Sequence, residues 1–153
     1  MKNLKVLVLT LFTSFLLVNI ALANSGSFNF HTGFFFNGDV LQISENQVMG
    51  AGKFSGVTFN DKGSGYLHNG EAHCLATFNV NNGVGEAKGW CSWSDNDGDR
   101  LFTSFNGSLY EGENIIIGGT GKYSGMTGSG PWACEDLGNN GSSRCWQTIN
   151  YKK

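Results

Sequence analysis

Turn signals recur through this chain at short intervals, and between them the residues alternate in character. Asn37-Gly38, Asn69-Gly70, Asn82-Gly83, Asp97-Gly98, Glu111-Gly112 and Asn140-Gly141 punctuate it. Asn-Gly and Asp-Gly supply the positive φ that tight hairpin turns need. Phe28, Phe30, Phe34 and Phe36 share one face of an extended run, opposite Asn29, His31, Gly33 and Phe35. That is the period of two that marks a strand. From Asn24 onward no window sustains a helical period. Short strands at regular spacing predict an all-β domain, a single antiparallel up-and-down barrel of about eight strands, with an open two-sheet sandwich as the alternative.

The cysteines turn this pattern into registers. A two-residue turn at Asn82-Gly83 sets Cys74 directly opposite Cys91. A turn centred on Asn139 and Asn140 sets Cys134 opposite Cys145. Four cysteines allow about three connectivities, and cross-strand spacing selects Cys74–Cys91 and Cys134–Cys145, each within its own hairpin. Each bond closes a short loop and contributes about 2–3 kcal/mol in the chain-entropy account. The same registers set Leu75 opposite Trp90, His73 opposite Ser92 and Glu135 opposite Arg144, an outer ion pair. Ala72, Cys74, Ala76 and Phe78 share the inner face with Ala87, Gly89, Cys91 and Trp93. For the next strand, a two-residue turn at Asp97-Gly98 pairs Trp93 with Phe102 and sends Phe102 inside. That leaves Leu101, Phe105 and Leu109 on the outer face unless a bulge shifts the register.

Residues 1–23 read as a secretory leader: Lys2 and Lys5, an apolar run from Val6 to Ile20, then Ala21-Leu22-Ala23 as a small-x-small cleavage site. The expected mature domain is 24–153, exported and then periplasmic or extracellular, a setting that suits disulfides. Without Lys2 and Lys5 the ten basic residues fall to eight against twelve acidic ones, a net charge near −4. With no basic block, nothing supports binding to nucleic acid or to an anionic membrane by the mature form.

A glycine-rich stretch follows the apolar Ile115-Ile116-Ile117. GTGKYSGMT at 119–127 echoes GAGKFSGVT at 50–58, with six of nine positions identical. Both copies read as structured connections between strands, with Phe54 or Tyr123 covering the turn. The glycine spacing and the absence of a following helical pattern argue against a phosphate cradle. GGTGKYSGMTG, placed after an apolar strand and before the last hairpin, resembles the GGTG-x-[FY] segment of the allene oxide cyclase and dirigent superfamily. That resemblance covers the last third of the chain specifically and implies an eight-stranded antiparallel barrel with a central cavity. It assigns no catalytic residue.

Candidate chemistry is sparse. On the face assignment above, the interior holds Phe78, Trp93, Trp132, Cys134, Ile149 and Tyr151, with Gln147 and Tyr151 as orienting hydrogen-bonding groups for a small apolar or aromatic ligand. Asp95, Asp97 and Asp99 alternate across a hairpin tip and are candidate ligands for a hard cation, although the EF-hand positions for Gly and Glu hold Arg100 and Asn106. His68, Glu71 and His73 straddle Asn69-Gly70; on a tight turn there, Tyr66 faces His73, and the group is either a metal or acid–base site or a solvated polar face. No cofactor motif is present. Three functions stay open: a non-enzymatic binding module, a cyclase- or isomerase-like enzyme using the same cavity, and an exported inhibitor or interaction protein acting through its loops.

Overall fold

Asn82 and Gly83 both take left-handed backbone, with φ of 52° and 78°, as a two-residue type I′ turn requires. The strands on either side, β3 (Gly70–Asn81) and β4 (Val84–Ser94), pair with Cys74 opposite Cys91, Leu75 opposite Trp90 and His73 opposite Ser92. The computed structural model describes residues 24–138 and 140–153. The leader expected at 1–23 lies outside the described residues, as does Asn139.

Six further strands complete the set: β1 (Ser25–Ser44), β2 (Gln47–Asn60), β5 (Arg100–Ser108), β6 (Glu111–Gly119), β7 (Thr127–Asp136) and β8 (Ser142–Lys152). They follow one another round a closed antiparallel barrel in chain order, β8 pairing with β1 from Ser25 opposite Lys152 to Phe35 opposite Ser142. That last ladder excludes the open sandwich. Both disulfides form, Cys74–Cys91 and Cys134–Cys145. The expected ion pair of Glu135 and Arg144 is present on the outside of the last hairpin. No helix among the described residues is long and apolar enough to cross a membrane.

Several turn signals do not make turns. Asn37-Gly38 lies within β1, paired with Lys53 and Gly52, and the chain reverses later at Glu45-Asn46. Glu111-Gly112 begins β6, just after a turn at Leu109-Tyr110. Asn69-Gly70 is not a tight hairpin either; residues 61–69 form a longer loop joining β2 to β3. At Asp97-Gly98 the loop has three residues, Asn96, Asp97 and Gly98, between Asp95 and Asp99, whose backbones bond directly (Asp95 N–H to Asp99 O, 2.9 Å). Gly98 carries the positive φ, 89°, the usual form of a three-residue hairpin. One extra loop residue moves the register by one. Trp93 therefore faces Leu101, and Leu101 and Phe105 point inward while Phe102 points out. No bulge separates β4 from β5; the shift occurs between β5 and β6, where Ile117 is the extra residue.

The glycine-rich repeat also divides. The second copy is a connection built on a single 3₁₀ turn, Gly121–Tyr123. The first is the middle of β2, and its glycines serve the barrel interior. A Cβ on Gly50 would sit 2.2 Å from the ring of Phe78, its partner on β3.

Replacing both cysteines of either bridge by serine should lower the unfolding free energy by about 2–3 kcal/mol. Urea melts of Cys74→Ser/Cys91→Ser and Cys134→Ser/Cys145→Ser, with an unchanged far-UV spectrum at zero denaturant, check this.

Candidate functional site

The barrel is filled at one end and hollow at the other. The filled end receives the loop 61–69, the β4–β5 hairpin tip and the 3₁₀ turn. Tyr123 is fully buried there, with Leu67, Tyr66, Met126 and Phe28 in the same core cluster. Tyr123 donates its hydroxyl hydrogen to the Asp95 carboxylate and accepts the Leu67 N–H at 3.1 Å. Lys122 Nζ stands 2.7 Å from both Asp95 and Asp97, and the Lys122 backbone N–H donates to Asp99 at 2.8 Å. A side chain at 121 would be strained: the φ of Gly121 is +50°, and a Cβ there would fall 1.7 Å from Asp99 Oδ1.

The three aspartates singled out as candidate cation ligands take part in this cluster. Asp95 and Asp97 share the Lys122 ammonium, and Asp97 and Asp99 also accept the backbone N–H groups of Asp99 and Lys122 respectively. Among the described residues no group of three or more His, Cys, Asp or Glu side chains is placed to hold a metal. The His68, Glu71 and His73 group is also dispersed. Glu71 and His73 stand 3.7 Å apart on the outside of β3, both well exposed. His68 lies in the loop with its ring near Phe59, and Tyr66 turns inward instead of facing His73, its ring tilted against Phe28 at 5.1 Å and Tyr123 at 5.4 Å.

Burial, with Asp95 beside it, pushes the Tyr123 phenol far above the ordinary tyrosine range. Partial burial pulls the Lys122 ammonium down, yet its hydrogen bonds to Asp95 and Asp97 outweigh this and hold it above the usual lysine value. The Lys122 hydrogen bond holds Asp97 below the usual carboxylate value.

The other end opens between the hairpin tips into a cavity of about 370 Å³. Trp93 forms part of its lining, edge-on to Phe30 at 5.2 Å and donating its indole N–H to Thr103 Oγ1 at 2.9 Å. Phe34, Phe36, Phe54 and Phe78 line the wall made by β1, β2 and β3. Asn114, Trp132 and Gln147 line the wall made by β6, β7 and β8. Both disulfides face inward, on walls that lie opposite each other in strand order. Among the described lining residues Asp136, at the rim, is the one that carries charge at neutral pH.

Four of the five residues singled out as ligand-binding, Phe78, Trp93, Trp132 and Gln147, therefore line one cavity. Tyr151 does not. It belongs to the filled end, 6.0 Å from Phe28 and 5.6 Å from Tyr66. Ile149 is likewise in the solid core. Asn114 was not legible as a site residue, though its place two before the buried Ile116 sets its parity inward.

No family model matches the chain, and no curated protein matches it in sequence. In shape it is similar to dirigent proteins. The pterocarpan synthase dirigent protein GePTS1 superposes with a TM-score of 0.52 at 12% identity, over 85% of this chain and 90% of that one. The pterocarpan synthase dirigent protein PsPTS1 gives 0.51 at 15% identity, over 84% and 94%. The likeness is one of fold: the barrel implied by the glycine-rich segment is present, and dirigent barrels are its structural neighbours.

Lys122→Met should leave Asp95 buried without its cation. The expected loss is roughly 2–3 kcal/mol, less than for a fully buried pair because Lys122 is partly exposed. The pH dependence has two limbs. Asp97, with its lowered pKa, stabilises the fold above the unfolded value and loses this as pH falls through the folded one. Lys122, with its raised pKa, stabilises below the unfolded value and loses this as pH rises through the folded one. Tyr123, whose raised phenol stays neutral in the fold while the unfolded phenol ionises, adds to the alkaline limb in the same sense. Stability of the native protein should thus fall below about pH 4 and above about pH 10; in Lys122→Met the acid limb should flatten, while the alkaline limb should keep the part Tyr123 supplies, as measured by urea melts across that range.

Proposed function

We propose that this chain is an exported, non-catalytic binding barrel that holds one small apolar or aromatic molecule in its open-ended cavity. The observation that carries this reading is the lining: phenylalanine and tryptophan rings around a hollow, with one charged residue at its rim. Apolar walls with a few fixed polar groups are the usual composition of small-molecule sites. Acid–base conversion would need a titratable group within the buried lining, and the two that line the cavity among the described residues, Asp136 and Tyr110, are both exposed, which supports holding over cyclase- or isomerase-like conversion. The structural neighbours are named as pterocarpan synthase dirigent proteins, and that name accords with a barrel serving a small organic molecule. Two inward disulfides accord with an oxidising compartment.

Native mass spectrometry of protein purified from its own host should show a co-purified small molecule, on a chain that begins at Asn24. In vitro, N-phenylnaphthylamine, a neutral apolar fluorophore, should brighten on binding. Ala87 faces the hollow beside Phe78, so Ala87→Phe should fill the space and weaken the probe about tenfold or more while the protein stays folded. Equal probe affinity in Ala87→Phe would place the binding elsewhere.

A further inference from the structure

The two walls of the cavity differ in chemistry, and the difference specifies the guest. The wall of β1, β2 and β3 presents the rings of Phe34, Phe36, Phe54 and Phe78 and suits the flat face of an apolar molecule. The wall of β6, β7 and β8 carries three neutral polar side chains, Asn114, Trp132 and Gln147, all more than nine-tenths buried. They are contiguous. Trp132 pairs with Gln147 across the β7–β8 ladder and with Gly112 across β6–β7, and Asn114 stands two residues from Gly112 on the same face.

Their hydrogen-bonding capacity is unbalanced. Gln147 Oε1 already accepts the Thr32 hydroxyl at 3.2 Å, so its amide N–H groups are what it has left to give. Trp132 Nε1–H can only donate, and it is buried without a partner among the described residues. A buried donor in that state is costly until an acceptor reaches it. Asn114 can donate or accept. The wall therefore has more hydrogens to give than acceptors to receive them.

An anion would supply acceptors, but its charge has no counterpart. No lysine, arginine or histidine lines the cavity among the described residues, and Asp136 at the rim carries the wrong sign. Burying a carboxylate there without a cation is strongly unfavourable. Resting on the reading of this cavity as a binding site, we infer that its guest is an uncharged, ring-bearing molecule with a hydrogen-bond acceptor, such as a carbonyl oxygen, on the edge turned to Asn114, Trp132 and Gln147.

Three probes of similar size separate the possibilities: naphthalene, acetylnaphthalene and naphthoate, titrated calorimetrically into the disulfide-bonded protein near neutral pH. Acetylnaphthalene should bind about tenfold more tightly than naphthalene, the worth of one well-made buried hydrogen bond, and naphthoate about tenfold or more below the ketone. Trp132→Phe keeps a ring and removes the N–H, and Asn114→Leu removes the amide. Each should reduce the preference for the ketone and leave naphthalene affinity within about twofold. Naphthalene binding as tightly as the ketone overturns the acceptor inference and leaves an apolar site standing. Naphthoate binding as tightly as the ketone overturns the requirement for neutrality. A ketone preference that survives intact in both variants overturns the assignment of the donors. Failure of all three probes to bind sinks the reading of the cavity itself.

Discussion

The hollow depends on glycines that lie directly across from large rings on the inner wall. Gly50 faces Phe78, Gly89 faces Phe105 and Gly112 faces Trp132. In each case a Cβ on the glycine would come within 2.8 Å of the ring or closer. An aromatic side chain over a glycine can lie back against the wall. With alanine or anything larger beneath it, the same ring would be pushed toward the axis. Small barrels commonly alternate small and large inward residues to fill a taper; here the alternation lets the rings coat the wall and leaves the middle clear. The apparent repeat around Phe54 and Tyr123 is explained by the same need for room, met in two places. On β2 the glycines make space for rings, and in the 3₁₀ connection they let backbone pass close to Asp99 and Tyr123.

At the filled end the controlling interaction is electrostatic. A carboxylate as buried as Asp95 needs its charge answered, and Lys122 and Tyr123 answer it from the adjoining connection. The 3₁₀ turn is thereby tied to the β4–β5 tip, and the ring of Tyr123 stops that end. A tube with both ends open would flood, whereas one with a polar lock and an aromatic stopper is a cup. The lock and the cavity share no side chain.

How much of this was legible depended on the turns. Asn82-Gly83 makes a two-residue reversal, and so both the cysteine register and the inner face of β3 and β4 followed from the sequence. Asp97-Gly98 looks the same in a string of letters but makes a three-residue loop, because its glycine takes the left-handed position after the turn instead of within it. The inward face of β5 was misassigned for that reason alone. Asn37-Gly38 failed as a turn because β2 runs alongside it without interruption. The lock was illegible for a different reason: Asp95 and Tyr123 are 28 residues apart, and alternation says which face a residue takes but not which end of the barrel it reaches. The same limit applies to Tyr151, whose alternation gives an inward face while its packing on Phe28 and Tyr66 sets it at the filled end. Asn114 leads into the apolar run Ile115-Ile116-Ile117, where a hydrophobic pattern gives no sign that a polar amide is buried against a cavity.

Each disulfide joins a strand to the next strand in the chain. Neither spans the junction where β8 meets β1, nor the short ladder between β6 and β7, for which paired residues run only from Glu111 to Ile115. The barrel is in effect a belt with two stitched folds and an unstitched buckle. Covalent bonds hold the hairpins in shape even when the ring parts, while hydrogen bonds and side-chain packing alone keep the ring shut. Oxidation therefore preserves the pieces of the wall, and the enclosure itself is only as durable as its weakest run of backbone pairs.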